Sequence, residues 1–146
     1  MTAMNDLLYQ VKLADESITR LFEKQLGISL TRYQLLTSLL DQAPCSQQDL
    51  QVSLQIDRAA ITRHLKILEG AGYISRRQNP DSKREMVVEP TAKAVVDLVT
   101  APPSQHLQVK QAMDAILTDE EATQLSQLLS KLVTGLEALP FDTINN

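Results

Sequence analysis

Apolar residues recur with a helical period along most of this chain. From Asn5 to Leu26 they fall at Leu7, Leu8, Val11, Ala14, Ile18, Leu21, Phe22 and Leu26, which predicts an amphipathic helix of about six turns stopped at Gly27. Thr31 with Gln34 makes a capping-box pattern before Leu35, Leu36, Leu39 and Leu40, and predicts a second helix ending near Gln42, ahead of Pro44. Ser46 and Asp49 repeat the device, with Cys45 and Leu50 at the two places of a hydrophobic staple. This third helix is short and reaches about Ser53, because residues 53–56 must turn the chain before Asp57 caps the next one. In that fourth helix Ile61, Leu65 and Leu68 stand at i, i+4 and i+7, while Arg58, Thr62, Arg63 and Lys66 point elsewhere. It has an apolar back and a cationic, hydrogen-bonding front. Gly70 and Gly72 are expected to end it.

The period then becomes extended. Tyr73-Ile74 opens a strand that carries Arg76 and Arg77, Asn79-Pro80-Asp81-Ser82 is turn chemistry, and Lys83, Arg84 and Val87-Val88 form the return strand. Pro90-Thr91 caps a helix holding Ala92, Val95, Val96, Leu98 and Val99, until Pro102-Pro103 removes two backbone donors and predicts a kink or a full break. A helical pattern resumes at Ser104 with Leu107, Val109, Ala112, Met113 and Ile116. Thr118 with Glu121 then caps a last helix striped by Leu125, Leu128, Leu129, Leu132, Val133 and Leu136, and the tail from Pro140 is too short to fold alone. Two short helices joined by a tight turn, the second cationic and followed by a basic ribbon, have the layout of a helix-turn-helix with a wing. The expected fold class is mainly α with a small β-hairpin wing. The stripes of the first and last helices exceed what one small lobe can cover, which predicts a homodimer.

Composition changes this picture in one respect. The chain of 146 residues has a net charge of -4, which by itself argues against a nucleic-acid partner. Yet residues 57–84 hold seven cations against three carboxylates, +4 locally and -8 elsewhere. Arg58, Arg63, Lys66, Arg76, Arg77, Lys83 and Arg84 therefore make a candidate phosphate footprint for double-stranded DNA. No apolar run approaches the roughly 18 residues of a membrane span and no signal segment opens the chain, so a cytoplasmic protein with no membrane partner is expected. The single cysteine, Cys45, fits a packing role better than a redox one, and His64 and His106 lack metal-ligand spacing. His64, on the cationic helix, is expected to touch phosphate or to lie in solvent. No cofactor, metal or catalytic constellation is expected, and none of the four glycines sits in a phosphate cradle. The rival reading is a helical protein-interaction module whose basic wing meets an acidic partner.

With Asp57-Arg58, Ile61-Thr62-Arg63, Leu68-Glu69, Gly72, Asn79-Pro80-Asp81, Lys83-Arg84 and Thr118 with Glu121 in this order, the chain resembles the MarR family of bacterial transcriptional regulators along nearly its whole length. The resemblance implies a single domain over 1–146, with a winged helix-turn-helix lobe at 30–90 and dimerisation helices at 4–27 and 104–140. It further implies a homodimer reading a pseudo-palindromic operator, a repressor role, and release by a small aromatic or anionic effector. Carried onto this chain, Thr62 and Arg63 would enter the major groove and Arg84 the minor groove. Phe22, Tyr33, Leu36, Val95 and Val99 would wall the effector cavity. Four features depart from the pattern: Ala59-Ala60 and Ser82 remove polar groups, Gln55 stands at a turn-glycine position, and Pro102-Pro103 breaks a helix.

Overall fold

The computed structural model describes residues 2–141, so most of the tail after Pro140 lies outside the described residues. The chain divides into two compact units that meet in sequence at Leu107 and Gln108. The first unit opens with α1 (Met4–Leu21), which runs into a wider π turn, Phe22–Leu26, where one continuous α-helix was expected. A π turn carries an extra residue and so resets which side chains face the core. Here Phe22 is buried, with its ring edge-on to Tyr33 at 5.8 Å, and Gly27 closes the turn at φ 69°.

Helix α2 (Leu30–Gln42) starts earlier than its sequence pattern suggests. Ser29, not Thr31, is the cap: its backbone is extended and its hydroxyl accepts the Arg32 N–H at 3.2 Å, which leaves Thr31 inside the first turn. Helix α3 (Gln47–Leu54) has the expected capping box of Ser46 and Asp49. Cys45–Ser46 also form β1, a third strand that the sequence did not announce; it pairs antiparallel with Val88 and Val87. Helix α3 closes on Gln55 at φ 54° and ψ 44°, the left-handed conformation that the turn demands.

Asp57 then caps α4 (Arg58–Gly70) by accepting the Ala60 N–H at 2.9 Å. Of the two glycines expected to end α4, only Gly72 is left-handed, at φ 84°; Gly70 is the last helical residue. Gly72 lets its own N–H reach Glu69 O and the Tyr73 N–H reach Leu68 O, each at 3.0 Å, so the closing carbonyls are satisfied. Strands β2 (Ile74–Asn79) and β3 (Ser82–Pro90) form the hairpin, and the full sheet has the order β1-β3-β2. Asn79 Oδ1 accepts the Asp81 N–H at 2.9 Å and holds the tip, beside a register shift at Gln78/Asn79.

Thr91 caps α5 (Ala92–Val95), which continues as a second π turn, Val96–Thr100. The helix breaks fully over 101–103 and α6 (Ser104–Asp114) follows, with Ile116 beyond its end rather than within it. In the second unit, Thr118 and Glu121 form the expected capping box of α7 (Asp119–Glu137). The core lies in the first unit. Leu35, Leu36 and Leu39 of α2, Leu50 of α3, Ile61, Leu65 and Leu68 of α4, Ile74, Val88 and Ala94 form one buried cluster.

Two of the left-handed residues, Gln55 and Gly72, give opposite expectations. Gln55→Gly should stabilise the protein by up to about 1 kcal/mol, since it removes the Cβ penalty. Gly72→Ala should destabilise it by about 1 kcal/mol for the same reason, because the added Cβ would meet only Lys93 Cδ at an ordinary 3.7 Å. Urea unfolding midpoints of the two variants check both signs.

Candidate nucleic-acid interface

On α4 the apolar stripe and the cationic front separate, although Ile67 is also exposed. Ile61, Leu65 and Leu68 are at most 1% exposed, while Arg58, Thr62, Arg63 and Lys66 all face solvent. The hairpin places Lys83 and Arg84 on the exposed part of β3. Arg58 and Arg84 both line a groove of about 600 Å³, with α3 residues such as Gln47, Gln51 and Val52 and with Ser82, Glu85 and Met86 of β3. Among the described residues, none of Arg58, Arg63, Lys66, Lys83 and Arg84 forms an ion pair.

Arg76 and Arg77 differ from these five. Arg76 donates from Nε and Nη2 to the two carboxylate oxygens of Glu69 at 3.4 and 3.1 Å, and only 18% of its side chain is exposed. That fork ties β2 to the last turn of α4 and holds the Glu69 carboxyl below the usual carboxylate range. Arg77 Nη2 donates to Glu89 at 3.1 Å, across the β2–β3 ladder. Arg76 is thus paired with α4, and Arg77 is paired within the wing.

Two polar links across the lobe have no signal in the linear pattern. Gln47 Nε2 donates to Thr62 Oγ1 at 3.0 Å, and so joins the start of α3 to the front of α4. Arg32 Nη1 lies 3.4 Å from His64 Nδ1, which brings an eighth cation against the same helix. Burial first, then Arg32 and Arg63, push the His64 pKa below its ordinary value. At the far end of α4, Thr91 Oγ1 donates to Gly72 O at 2.6 Å and the Tyr73 hydroxyl to Asp97 Oδ2 at 3.2 Å. The Lys93 ammonium lies 4.9 Å from the centre of the Tyr73 ring.

The remaining candidates sit apart from this face. Cys45 is half-buried against the core, and burial, then the Asp49 carboxylate, raise its thiol pKa; both effects disfavour a reactive thiolate. Phe22 and Tyr33 touch and Leu36 is wholly buried, whereas Val95 and Val99 are exposed. None of these five lines the groove beside Arg58 and Arg84. His106 is half-buried on α6. Among the described residues no group of three or more His, Cys, Asp or Glu is placed to hold a metal ion, and no helix is long and apolar enough to cross a membrane.

Comparison with known proteins gives a consistent picture. A family model described as the MarR family matches residues 28–86. Over 136 residues the chain is 35% identical to the uncharacterized HTH-type transcriptional regulator YdgJ of Bacillus subtilis (strain 168), covering 91% of this chain and 82% of that protein. It is 31% identical over 123 residues to the transcriptional repressor MprA of Escherichia coli (strain K12), covering 83% and 69%. The crystal structure of the S. aureus MepR-DNA complex aligns with a TM-score of 0.69 at 20% identity, over 92% of this chain and 99% of that one, a likeness of fold.

The lowered His64 pKa, set first by burial and then by Arg32 and Arg63, gives a pH dependence. A histidine whose folded pKa is depressed favours the unfolded chain once that chain binds the proton, so stability should fall as pH drops from about 6.5 toward the lower folded value. His64→Asn should lose less stability than the parent between pH 7.5 and 5.5 in urea unfolding. Equal losses in the two proteins would show that His64 contributes nothing to the pH dependence.

Proposed function

The chain belongs to the MarR family, and on that premise we propose that it is a transcriptional regulator that binds double-stranded DNA sequence-specifically as a homodimer and represses transcription. The observation that carries this reading is the exposed front of α4. Arg58, Thr62, Arg63 and Lys66 stand opposite a stripe fixed in the core, and the wing adds Lys83 and Arg84 with no ion pair among the described residues. Cations without internal partners are free to displace the counterions of a duplex. The α4 groups have the size and chemistry to enter a major groove, with Arg84 on the wing beside them. Arg76 and Arg77, already bound to Glu69 and Glu89, are assigned to holding the wing in place, with at most a secondary phosphate contact.

Dimerisation is part of the proposal. Helix α7 exposes Leu125, Leu128, Leu129, Val133 and Leu136, and α1 exposes Leu7, Val11 and Ile18. Such stripes need cover. Two-fold symmetry would then call for two related half-sites about one helical turn apart. Control by a small aromatic or anionic effector is proposed from family membership, with Phe22, Tyr33, Leu36, Val95 and Val99 as candidates for its wall. A ligand would act only through different affinities for DNA-competent and incompetent forms.

Fluorescence anisotropy with a labelled random-sequence duplex at low salt tests the central reading, with an acidic polypeptide as competitor. Binding to the duplex is expected; binding to the polypeptide alone would favour the protein-interaction module. On a duplex enriched for tight binding, Arg63→Ala should cost ~1 to 3 kcal/mol with strong sequence dependence. Arg84→Ala should cost a similar amount with weak dependence, since the minor groove is degenerate. A variant that bound as tightly as the parent would remove its residue from the interface. Light scattering at micromolar concentration should give twice the chain mass, and a monomer mass would refute the dimer.

A further inference from the structure

The front of α4 is completed by a side chain from another helix. Gln47, the first residue of α3, donates to Thr62 Oγ1, and Thr62 commits its own hydroxyl proton to Arg58 O at 2.9 Å. A threonine hydroxyl has one donor. With that donor spent inside α4 and one lone pair taken by the amide, Thr62 offers solvent chiefly its methyl group. Gln47 keeps its second Nε2–H and its Oε1, for which no protein partner exists among the described residues. Both side chains lie where this helix meets solvent, Thr62 exposed and Gln47 half-buried.

The outward chemistry of the pair is thus one amide donor, one amide acceptor, one methyl and the remaining lone pair of the Thr62 hydroxyl. In the major groove, adenine presents the N6 amino donor beside the N7 acceptor, and its partner thymine presents the C5-methyl group. Guanine presents two acceptors, one of which would face the amide oxygen. The amide is also held in advance. Its bond to Thr62 removes rotamer freedom that a free glutamine would lose on binding, and the Ser46–Asp49 capping box fixes the turn that carries it.

Resting on the reading of this face as duplex-binding, we propose that Gln47 and Thr62 form one specificity unit that selects an A·T pair in each half-site. Gln47 makes the base-edge hydrogen bonds, and Thr62 positions it and packs its methyl on thymine. The unit draws on two helices. A mutation in α3 therefore changes the base preference of α4.

In vitro selection from a random duplex library, with the full chain as parent, Gln47→Ala and Thr62→Val, tests this. The parent should enrich a motif with an A·T column, and both variants should lose that preference by roughly 5- to 150-fold at the same column. The other columns should persist, which also shows that the variants fold, and the salt dependence of affinity should stay that of the parent. Three results would overturn the unit. Gln47→Ala could keep every column, the two variants could relax different columns, or Gln47→Ala could weaken all sequences alike with a shallower salt dependence, the mark of a phosphate contact. A parent that enriches no motif would instead refute sequence-specific binding itself, and the unit with it.

Discussion

Ile61, Leu65 and Leu68 lose essentially all solvent exposure among Leu35, Leu36, Leu39, Leu50, Ile74 and Val88, and the direction of every group on α4 follows from that anchoring. Burying three such side chains stabilises the lobe by roughly 1.5 to 3 kcal/mol each. An exposed ion pair is worth about 0 to 1 kcal/mol. Advancing α4 by one residue would put Thr62, Lys66 and Glu69 where Ile61, Leu65 and Leu68 now sit, and burying those charges would cost several kcal/mol. The apolar stripe therefore fixes the rotation of the helix, and the cations take the directions left over. A functional surface is specified here by residues that never touch its partner.

Around this anchor the lobe spends polar groups on joints. The Arg76 fork to Glu69, Thr91 to Gly72 O and Tyr73 to Asp97 fasten the C-terminal end of α4 to the wing and to the α5 segment. At the opposite side, Gln47 and Arg32 reach Thr62 and His64 from α3 and α2. Within residues 57–84 the consequence is a sorting of charge: the two arginines bound to a carboxylate stiffen the frame, and the five other cations face outward. Residues 57–84 carry both kinds, and only the three-dimensional arrangement tells them apart.

This explains what the sequence discloses and what it withholds. Elements set by local chemistry are legible: the α4 stripe, the Ser46 and Thr118 capping boxes, the Asp57 cap and the Asn79–Ser82 turn depend on neighbours within about one helical turn. The α2 start was misplaced because Ser29 and Thr31 are both competent caps, and the choice rests on which backbone is extended after the Gly27 turn. Strand β1 has two residues, too few for an alternating pattern. The site pairings join residues 7, 12, 15 and 32 positions apart, and no linear spacing predicts which cation meets which acceptor. Cationic character was therefore legible, while its division into free and committed arginines was not.

That division is the central claim, and the salt dependence of duplex affinity addresses it most directly. Each phosphate contact made by a free cation steepens the fall of log affinity with log salt by about 0.9. Measured for the parent, Arg84→Ala and Arg76→Ala on the same duplex, the slope should become shallower by about one unit per protomer for Arg84→Ala and stay that of the parent for Arg76→Ala. A slope that flattens as much for Arg76→Ala as for Arg84→Ala, or that is close to zero in the parent, would contradict the account.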